Sequence, residues 1–243
     1  MARTLFISDL HLSAERAAAN EALFAFLEER VPGANALYIL GDLFEYWIGD
    51  DDLSDPFHAI VAGFFARTVQ AGTPMYLMHG NRDFLIGDAF CAAAQVTRIE
   101  DPTVLDLFGT PTLLMHGDTL CTDDTSYMDW RRTCRAPAWQ QDFLSQPLTA
   151  RRAQMLQWRA QSEAGKQNKS AQVMDVNATA VIDALNAHQC RRLIHGHTHR
   201  PGRHTLELNH LTAERIVLAD WYTQGSFLEV TAQGCRQHTL AFL

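Results

Sequence analysis

Leu37-Tyr38-Ile39-Leu40-Gly41-Asp42-Leu43-Phe44-Glu45 is an apolar run closed by a glycine and followed at once by an aspartate. Four consecutive apolar residues read as a strand buried on both faces. The aspartate then stands at the strand's C-terminal end, where open α/β sheets bind their ligands. The layout recurs along the chain. Leu5-Phe6-Ile7-Ser8 leads to Asp9-Leu10-His11, and Met75-Tyr76-Leu77-Met78 leads to His79-Gly80-Asn81-Arg82-Asp83. Leu113-Leu114-Met115 leads to His116-Gly117-Asp118, and Leu193-Ile194 leads to His195-Gly196-His197-Thr198-His199. Five strands that deliver Asp, Asn or His to the same edge of one sheet predict a metal site built from strand ends, with Asp42 placed to touch two ions.

Between these strands the helical period takes over. Residues 14–30 predict a helix with Leu23, Phe26 and Leu27 on one face, stopped by Pro32-Gly33. Residues 57–71 predict a second, with Ile60, Val61, Phe64 and Phe65 inward, and residues 85–94 a short third. Residues 104–115, broken at Gly109-Thr110-Pro111, read as a hairpin. Residues 175–188 predict a helix packing through Val176, Ala180, Val181 and Leu185, and residues 205–230 further short strands. The alternation implies a layered α/β fold with the site on one rim.

Composition narrows the function. A chain of 243 residues, 47% hydrophobic, is long enough for one large core with a sizeable insertion, and its net charge of −8 argues against general nucleic-acid binding. Five cysteines, an odd number with no CxxC pair, read as reduced thiols of a cytoplasmic protein. A first strand at residues 4–8 leaves no room for a signal peptide ahead of it. No apolar run is long enough to span a bilayer, so any membrane contact is expected to be peripheral.

One segment breaks the rhythm. Residues 125–172 carry no strand signal, and their apolar residues fall at helical spacing. They hold eight Lys or Arg against three acids, a net +5 in a chain whose total is −8, and three of its five tryptophans. A helical insertion of this composition predicts a lid over an anionic, partly greasy ligand, separate from a core formed by residues 1–124 and 173–243. Because the metal-ligand candidates all lie outside it, that core is expected to fold and bind its ions alone.

The chemistry follows from the donors. Asp9 and His11, two apart on an extended segment, share a face and can chelate one ion. His195 and His197 repeat the spacing and can divide between two ions. Asn81 offers an amide oxygen and His116 an imidazole nitrogen. With no cysteine in these loops, the mixed oxygen and nitrogen set suits manganese, iron or zinc. Two such ions would acidify a water and hold a phosphoryl group for in-line attack.

Asp9-Leu10-His11, Gly41-Asp42-Leu43-Phe44-Glu45, Gly80-Asn81-Arg82-Asp83, His116-Gly117-Asp118 and Gly196-His197-Thr198-His199 resemble the signature of calcineurin-like metallophosphoesterases. The resemblance implies a four-layer αββα sandwich and a dinuclear centre. Asp9, His11, Asp42 and His197 would hold one ion, and Asp42, Asn81, His116 and His195 the other. That family usually has histidine after the asparagine, and this chain has Arg82. The run from His116 to Asp124, Met174-Asp175-Val176-Asn177, and the run from Leu193 to Pro201 are similar to one branch of the family. That branch cleaves the pyrophosphate of UDP-2,3-diacylglucosamine in lipid A synthesis, at the cytoplasmic face of the inner membrane and usually with Mn2+. The same resemblance makes Asn81 and Arg82 the catalytic candidates and has Asn81, Arg82, Asp124, Ser162, Lys166, Lys169 and His195 contact substrate.

Plainer readings apply elsewhere. His58, His188, His204, His210 and His238 fit no ligand pattern, and Asp50-Asp51-Asp52 reads as a solvated acidic loop. His79 and Asp118 either orient ligands or satisfy loop backbone, and His199 is expected to support the His195/His197 loop from outside the metal ligands. Two other functions compete: a broader phosphoesterase acting on nucleotides or phosphoproteins, and a scaffold that keeps the fold without its metals. The first is disfavoured by Arg82 and the basic, aromatic insertion, the second by the full set of donors.

Overall fold

The structure, a computed structural model, describes residues 2–166, 175–208 and 211–242, and of residues 161–166 the helical backbone alone. The strand ends come from two sheets, not one. Strands β1 (Thr4–Ile7), β2 (Ala36–Leu40), β3 (Met75–Met78) and β4 (Thr97–Ile99) run parallel in the first sheet. The second contains β5 (Thr103–Leu107), β6 (Thr110–Leu114), β7 (Arg192–His195), β8 (Gly202–Leu208) and β9 (Leu211–Val217), in the order β5-β6-β7-β9-β8. β10 (Gly225–Thr231) and β11 (Gly234–Leu240) return to the first sheet, which reads β11-β10-β1-β2-β3-β4. A strand buried on both faces looks the same in either arrangement, so apolar runs alone cannot divide them.

The two-residue pleat sorts the side chains into layers. Leu5, Ile7, Leu37, Ile39 and Leu77 pack against α1 (Ala17–Glu29), α2 (Pro56–Gln70) and α3 (Asp88–Ala94) through Leu23, Phe26, Val61, Phe65 and Phe90. Their neighbours Phe6, Tyr38, Leu40 and Met78 point the other way, onto Leu114, Ile194 and Ile216 of the second sheet. On that sheet's far face Leu113 and Leu193 meet Val181 and Leu185 of α7 (Ala178–Ala187). The result is the four-layer αββα order. Ile60 departs from expectation: it is 51% exposed, and the buried face of α2 runs through Val61, Ala62 and Phe65 instead.

The acidic triplet is not a solvated loop. It forms a 3-10 turn, Asp50–Ser54, in which Asp52 is fully buried. The Asp50 carboxylate accepts N–H bonds from Gly87, Ala89 and Phe90 at 2.8, 2.8 and 3.0 Å. It therefore caps α3 from across the loop, which starts that helix at Asp88 rather than at residue 85.

Residues 125–166 are three helices, α4 (Thr125–Cys134), α5 (Pro137–Ser145) and α6 (Leu148–Lys166). The Asp124 side chain caps α4, and Pro137 opens α5 at the position where its missing N–H costs nothing. Trp130, Trp139, Phe143 and Trp158 stack on one another with centroids 5.1–5.8 Å apart. Phe143 and Cys134 are buried in the same apolar cluster as the first sheet and its helices. Much of the basic excess is turned inward as well. Arg131 pairs with buried Asp118 at 2.7 Å, Arg135 donates to Gly80 O at 2.8 Å, and Arg152 pairs with Asp52 at 2.6 Å. Arg151, itself buried, donates to Ile48 O and pairs with Asp51, while Arg159 reaches Glu45 at 2.8 Å. The insertion and the rest of the chain share apolar core and ion pairs.

Candidate metal centre

The loops after β1 and β2 stay paired beyond the sheet. Asp9 N–H donates to Gly41 O at 3.1 Å, His11 N–H to Asp42 O at 3.0 Å, and Leu12 N–H to Leu43 O at 2.9 Å. To keep this pairing while turning their side chains to the rim, Asp9, His11 and Asp42 take left-handed φ of 54°, 51° and 53°. His197 and His199 do the same at 68° and 53°. Such backbone costs about 1–3 kcal/mol per side-chain-bearing residue and concentrates at functional sites. Close approach is enforced by glycine: a Cβ on Gly80 would lie 2.1 Å from Asp42 Oδ1, and one on Gly196 2.2 Å from Asp9 Oδ2.

Asp42 sits at the middle of the donors. Its Oδ2 is 3.8 Å from His11 Nε2 and its Oδ1 3.7 Å from His116 Nε2. On one side His11 Nε2 lies 3.2 Å from His199 Nε2, which is 3.5 Å from Asp9 Oδ1. On the other, Asn81 Oδ1 lies 3.0 Å from His116 Nε2 and 2.8 Å from His197 Nδ1. Asp9 accepts both Ser8 Oγ–H at 2.6 Å and His197 N–H at 2.9 Å, so its carboxylate also holds the last loop. His116 Nδ1 donates to Leu40 O at 2.8 Å, which leaves Nε2 as the nitrogen aimed inward, able to ligate once its own proton has left. Asp9, Asp42 and His116 form one convergent group and Asp9, His11 and His199 another, all but His199 buried. Two imidazole nitrogens in hydrogen-bond contact beside buried carboxylates are an arrangement that a divalent cation stabilises, so the donor set fits metal.

Electrostatics agree with this reading. Burial, reinforced by Asp83 and Asp9, pushes the Asp42 carboxyl up to about 7. Burial alone would depress His116, but the carboxylates of Asp42, Asp118 and Asp9 outweigh it and raise it to about 9. Burial lowers His197 to about 3 and holds His11 well below the usual histidine range, leaving both neutral and able to ligate.

His195 is fully buried and stands close enough to Asp9 and His116 for their charges to act on it. Its Nδ1 contacts Gly196 O at 2.9 Å, its Nε2 is buried without a hydrogen-bond partner among the described residues, and burial lowers its pKa to about 4. His199, expected to stand outside the metal ligands, lies 3.2 Å from His11 Nε2 and 3.5 Å from Asp9 Oδ1.

The remaining predicted residues scatter around this centre. Arg82 N–H donates to Asp42 Oδ1 at 2.8 Å, and its guanidinium lies 3.9 Å from Glu45. Asp124 is engaged in capping α4, accepting Tyr127 N–H at 3.1 Å. Ser162 and Lys166 lie in the backbone-only turns of α6, and Lys169 lies outside the described residues. His79 Nε2 meets Ile86 O at 2.7 Å, the backbone role of the two considered. Asp118 accepts from Tyr127 Oη and Arg131 Nε at 2.5 and 2.7 Å, and its charge raises His116.

Residues that spacing did not single out also build the site. Asp83, fully buried, accepts Leu43 N–H and Gly80 N–H, both at 2.7 Å, tying the loop after β2 to that after β3. Tyr222 stacks on His11 with centroids 5.0 Å apart. No local pattern marks it, since it arrives from the far end of the chain.

The sequence profile of calcineurin-like phosphoesterases matches residues 2–201. The chain belongs to the calcineurin-like phosphoesterase family. Over 231 residues this phosphoesterase is 49% identical to the UDP-2,3-diacylglucosamine hydrolase of Cellvibrio japonicus, covering 95% of this chain and 96% of that protein. It is 50% identical over 233 residues to the enzyme of that name from Pseudomonas paraeruginosa, covering 96% and 97%, and 48% identical over 239 residues to that of Aeromonas hydrophila, covering 98% and 99%.

A pH dependence follows from the raised pair. Asp42 and His116 hold protons in the metal-free phosphoesterase that must leave before both can ligate. Both shifts are upward, so these protons stabilise the metal-free fold at low pH, and that contribution is lost as pH rises through about 7 and about 9. Metal binding runs the other way. The difference in Tm between Mn2+-loaded and chelator-treated protein is expected to widen steadily from pH 6 to pH 9, and a constant difference would contradict the assignment.

Proposed function

We propose that this phosphoesterase hydrolyses the pyrophosphate of UDP-2,3-diacylglucosamine to UMP and 2,3-diacylglucosamine 1-phosphate, using two divalent ions, most simply Mn2+. The observation that carries the reading is the near-50% identity to hydrolases of that name along almost the whole chain, insertion included. Asp9, His11, Asp42 and His197 would hold one ion, and Asp42, Asn81, His116 and His195 the other; the buried Nε2 of His195, without a hydrogen-bond partner among the described residues, supports its place in the set. When bound, the ions supply Lewis acidity toward a phosphoryl oxygen and lower the pKa of water.

The chain's own residues do the rest. Asn81 presents an amide to the substrate phosphate edge. Arg82 offers a planar fork for two phosphate oxygens and cannot give up its proton near neutrality, so it stabilises charge instead of donating a proton. Asn81, Phe84, Tyr127, Trp130 and Arg135 line a small cavity of about 10 Å³. The acyl chains are placed against the helices of residues 125–166, where each buried methylene is worth about 0.8 kcal/mol. Asp124 with Ser162, Lys166 and Lys169 completes the proposed contacts to the nucleotide and sugar. Among the described residues no helix is long and apolar enough to cross a membrane. Exposed Trp130, Leu144 and Leu156 on the insertion suit peripheral contact with the cytoplasmic face of the inner membrane, where the lipid is presented.

Incubation with Mn2+ and UDP-2,3-diacylglucosamine is expected to release UMP and not uridine. Turnover of phosphoproteins or simple nucleotides in preference to the lipid-linked nucleotide would overturn the assignment. Within it, Arg82→Lys is expected to lower kcat by about 10²-fold, the loss of one preorganised donor, because a point charge does not replace a fork. Arg82→His is expected to do no better, and a histidine variant as fast as wild type would show that proton donation is what this position supplies.

A further inference from the structure

Glu45 closes the stretch on which the sequence reading began, yet no role has fallen to it. Its carboxylate is only 6% exposed and lies among three groups from three parts of the chain. Oε2 is 3.7 Å from His11 Nδ1, while Oε1 is 3.9 Å from Arg82 Nη1 and 2.8 Å from Arg159 Nη2 of α6. Its backbone is held too, since Glu45 N–H donates to Leu12 O at 3.0 Å. His11 Nδ1 is buried and has no hydrogen-bond partner among the described residues, and the carboxylate behind it is Glu45.

We propose that Glu45 is a positioning residue that couples helix α6 of the insertion to the metal centre, setting one oxygen opposite His11 Nδ1 to accept its proton when the ion is bound and holding Arg159 on the other. The inference rests on the reading of His11 as a ligand through Nε2. A carboxylate on the outer nitrogen of a ligating imidazole fixes its tautomer and orientation and makes it a better donor, and losing such a partner typically weakens metal binding by 10–100-fold. Arg159 makes that partner conditional. With Arg159 in place, Glu45 is drawn between the insertion and His11. With α6 displaced, the carboxylate is free to rotate away from Nδ1. Metal affinity and the seating of α6 are then linked in both directions, although Arg159 touches no metal ligand.

The test is Mn2+ titration by calorimetry into chelator-stripped full-length protein, so the readout is affinity and not turnover. Glu45→Gln is expected to raise Kd about 10–100-fold. Arg159→Met is expected to weaken binding in the same direction, and the double variant to be no weaker than Glu45→Gln alone. Glu45→Asp, which keeps the charge but shortens the reach, is expected to fall between wild type and Glu45→Gln, and serves if the glutamine variant folds poorly. In ¹⁵N spectra His11 should lose its Nδ1–H tautomer preference in both Glu45 variants. Unchanged Kd in the Glu45 variants, or strictly additive effects with Arg159→Met, would overturn the coupling alone. Wild-type protein that takes up no Mn2+ would overturn the metal centre and the coupling with it.

Discussion

Asp42→Asn is expected to lower kcat by about 10³-fold or more while leaving the fold intact. The magnitude is that of removing a preorganised charge from a site where charge is stabilised in the transition state. Asp42 is the donor that lies between the two groups, within 3.8 Å of His11 and 3.7 Å of His116. A neutral amide there leaves two dications to face each other with less compensating charge, so occupancy of both positions should fall together. The fold should not suffer. Burial pushes the carboxyl up to about 7, so above that pH the metal-free protein carries the charge against a desolvation cost that asparagine relieves. The Tm without metal is therefore expected to be unchanged or slightly higher, and stabilisation by Mn2+ to shrink. Wild-type turnover in the asparagine variant, with two ions still bound, would remove Asp42 from the bridge.

Replacing residues 125–172 with a short Gly/Ser linker is expected to unfold the protein, not to yield a lid-free enzyme. Phe143 and Cys134 are buried in the main apolar cluster, and truncating one such phenylalanine alone costs about 3–5 kcal/mol. Whole domains are stable by only about 5–15 kcal/mol. The excision would also strip Asp118, Asp52 and Glu45, all buried, of Arg131, Arg152 and Arg159. Uncompensated buried carboxylates are among the costliest lesions a fold can carry. Circular dichroism during heating is expected to find no cooperative transition. A trimmed protein that melts cooperatively within a few degrees of the full chain would restore the modular reading of the insertion. Probing the acyl-chain path instead calls for substitutions at exposed Trp130, Leu144 and Leu156, which leave the anchoring arginines in place.

The layers and the donor list were legible because each rests on a local pattern. Apolar runs ending in Gly-Asp or His-Gly announce strand ends, and Asp9, His11, Asp42, Asn81, His116 and His197 all reached the same rim. What was not legible depends on geometry between segments. The division into two sheets is invisible in strands buried on both faces. Asp50 and Asp52 looked like solvent-facing charge because their partners, the N-terminus of α3 and Arg152, lie 37–40 and 100 residues away. The insertion's positive charge likewise looked like a ligand-facing surface, while five of its arginines hold it to the core. Tyr222 gave no signal at all, since it meets His11 only after β10 folds back beside β1.

The most direct test of the central claim is anomalous diffraction from crystals of the Mn2+-loaded protein. Two peaks about 3.5–4 Å apart are expected, the spacing of two-metal phosphoryl-transfer sites, with Asp42 between them. His197 should ligate the ion held by Asp9 and His11, and His195 the ion held by Asn81 and His116. A single peak, or two peaks with Asp42 bound to only one of them, would contradict the account.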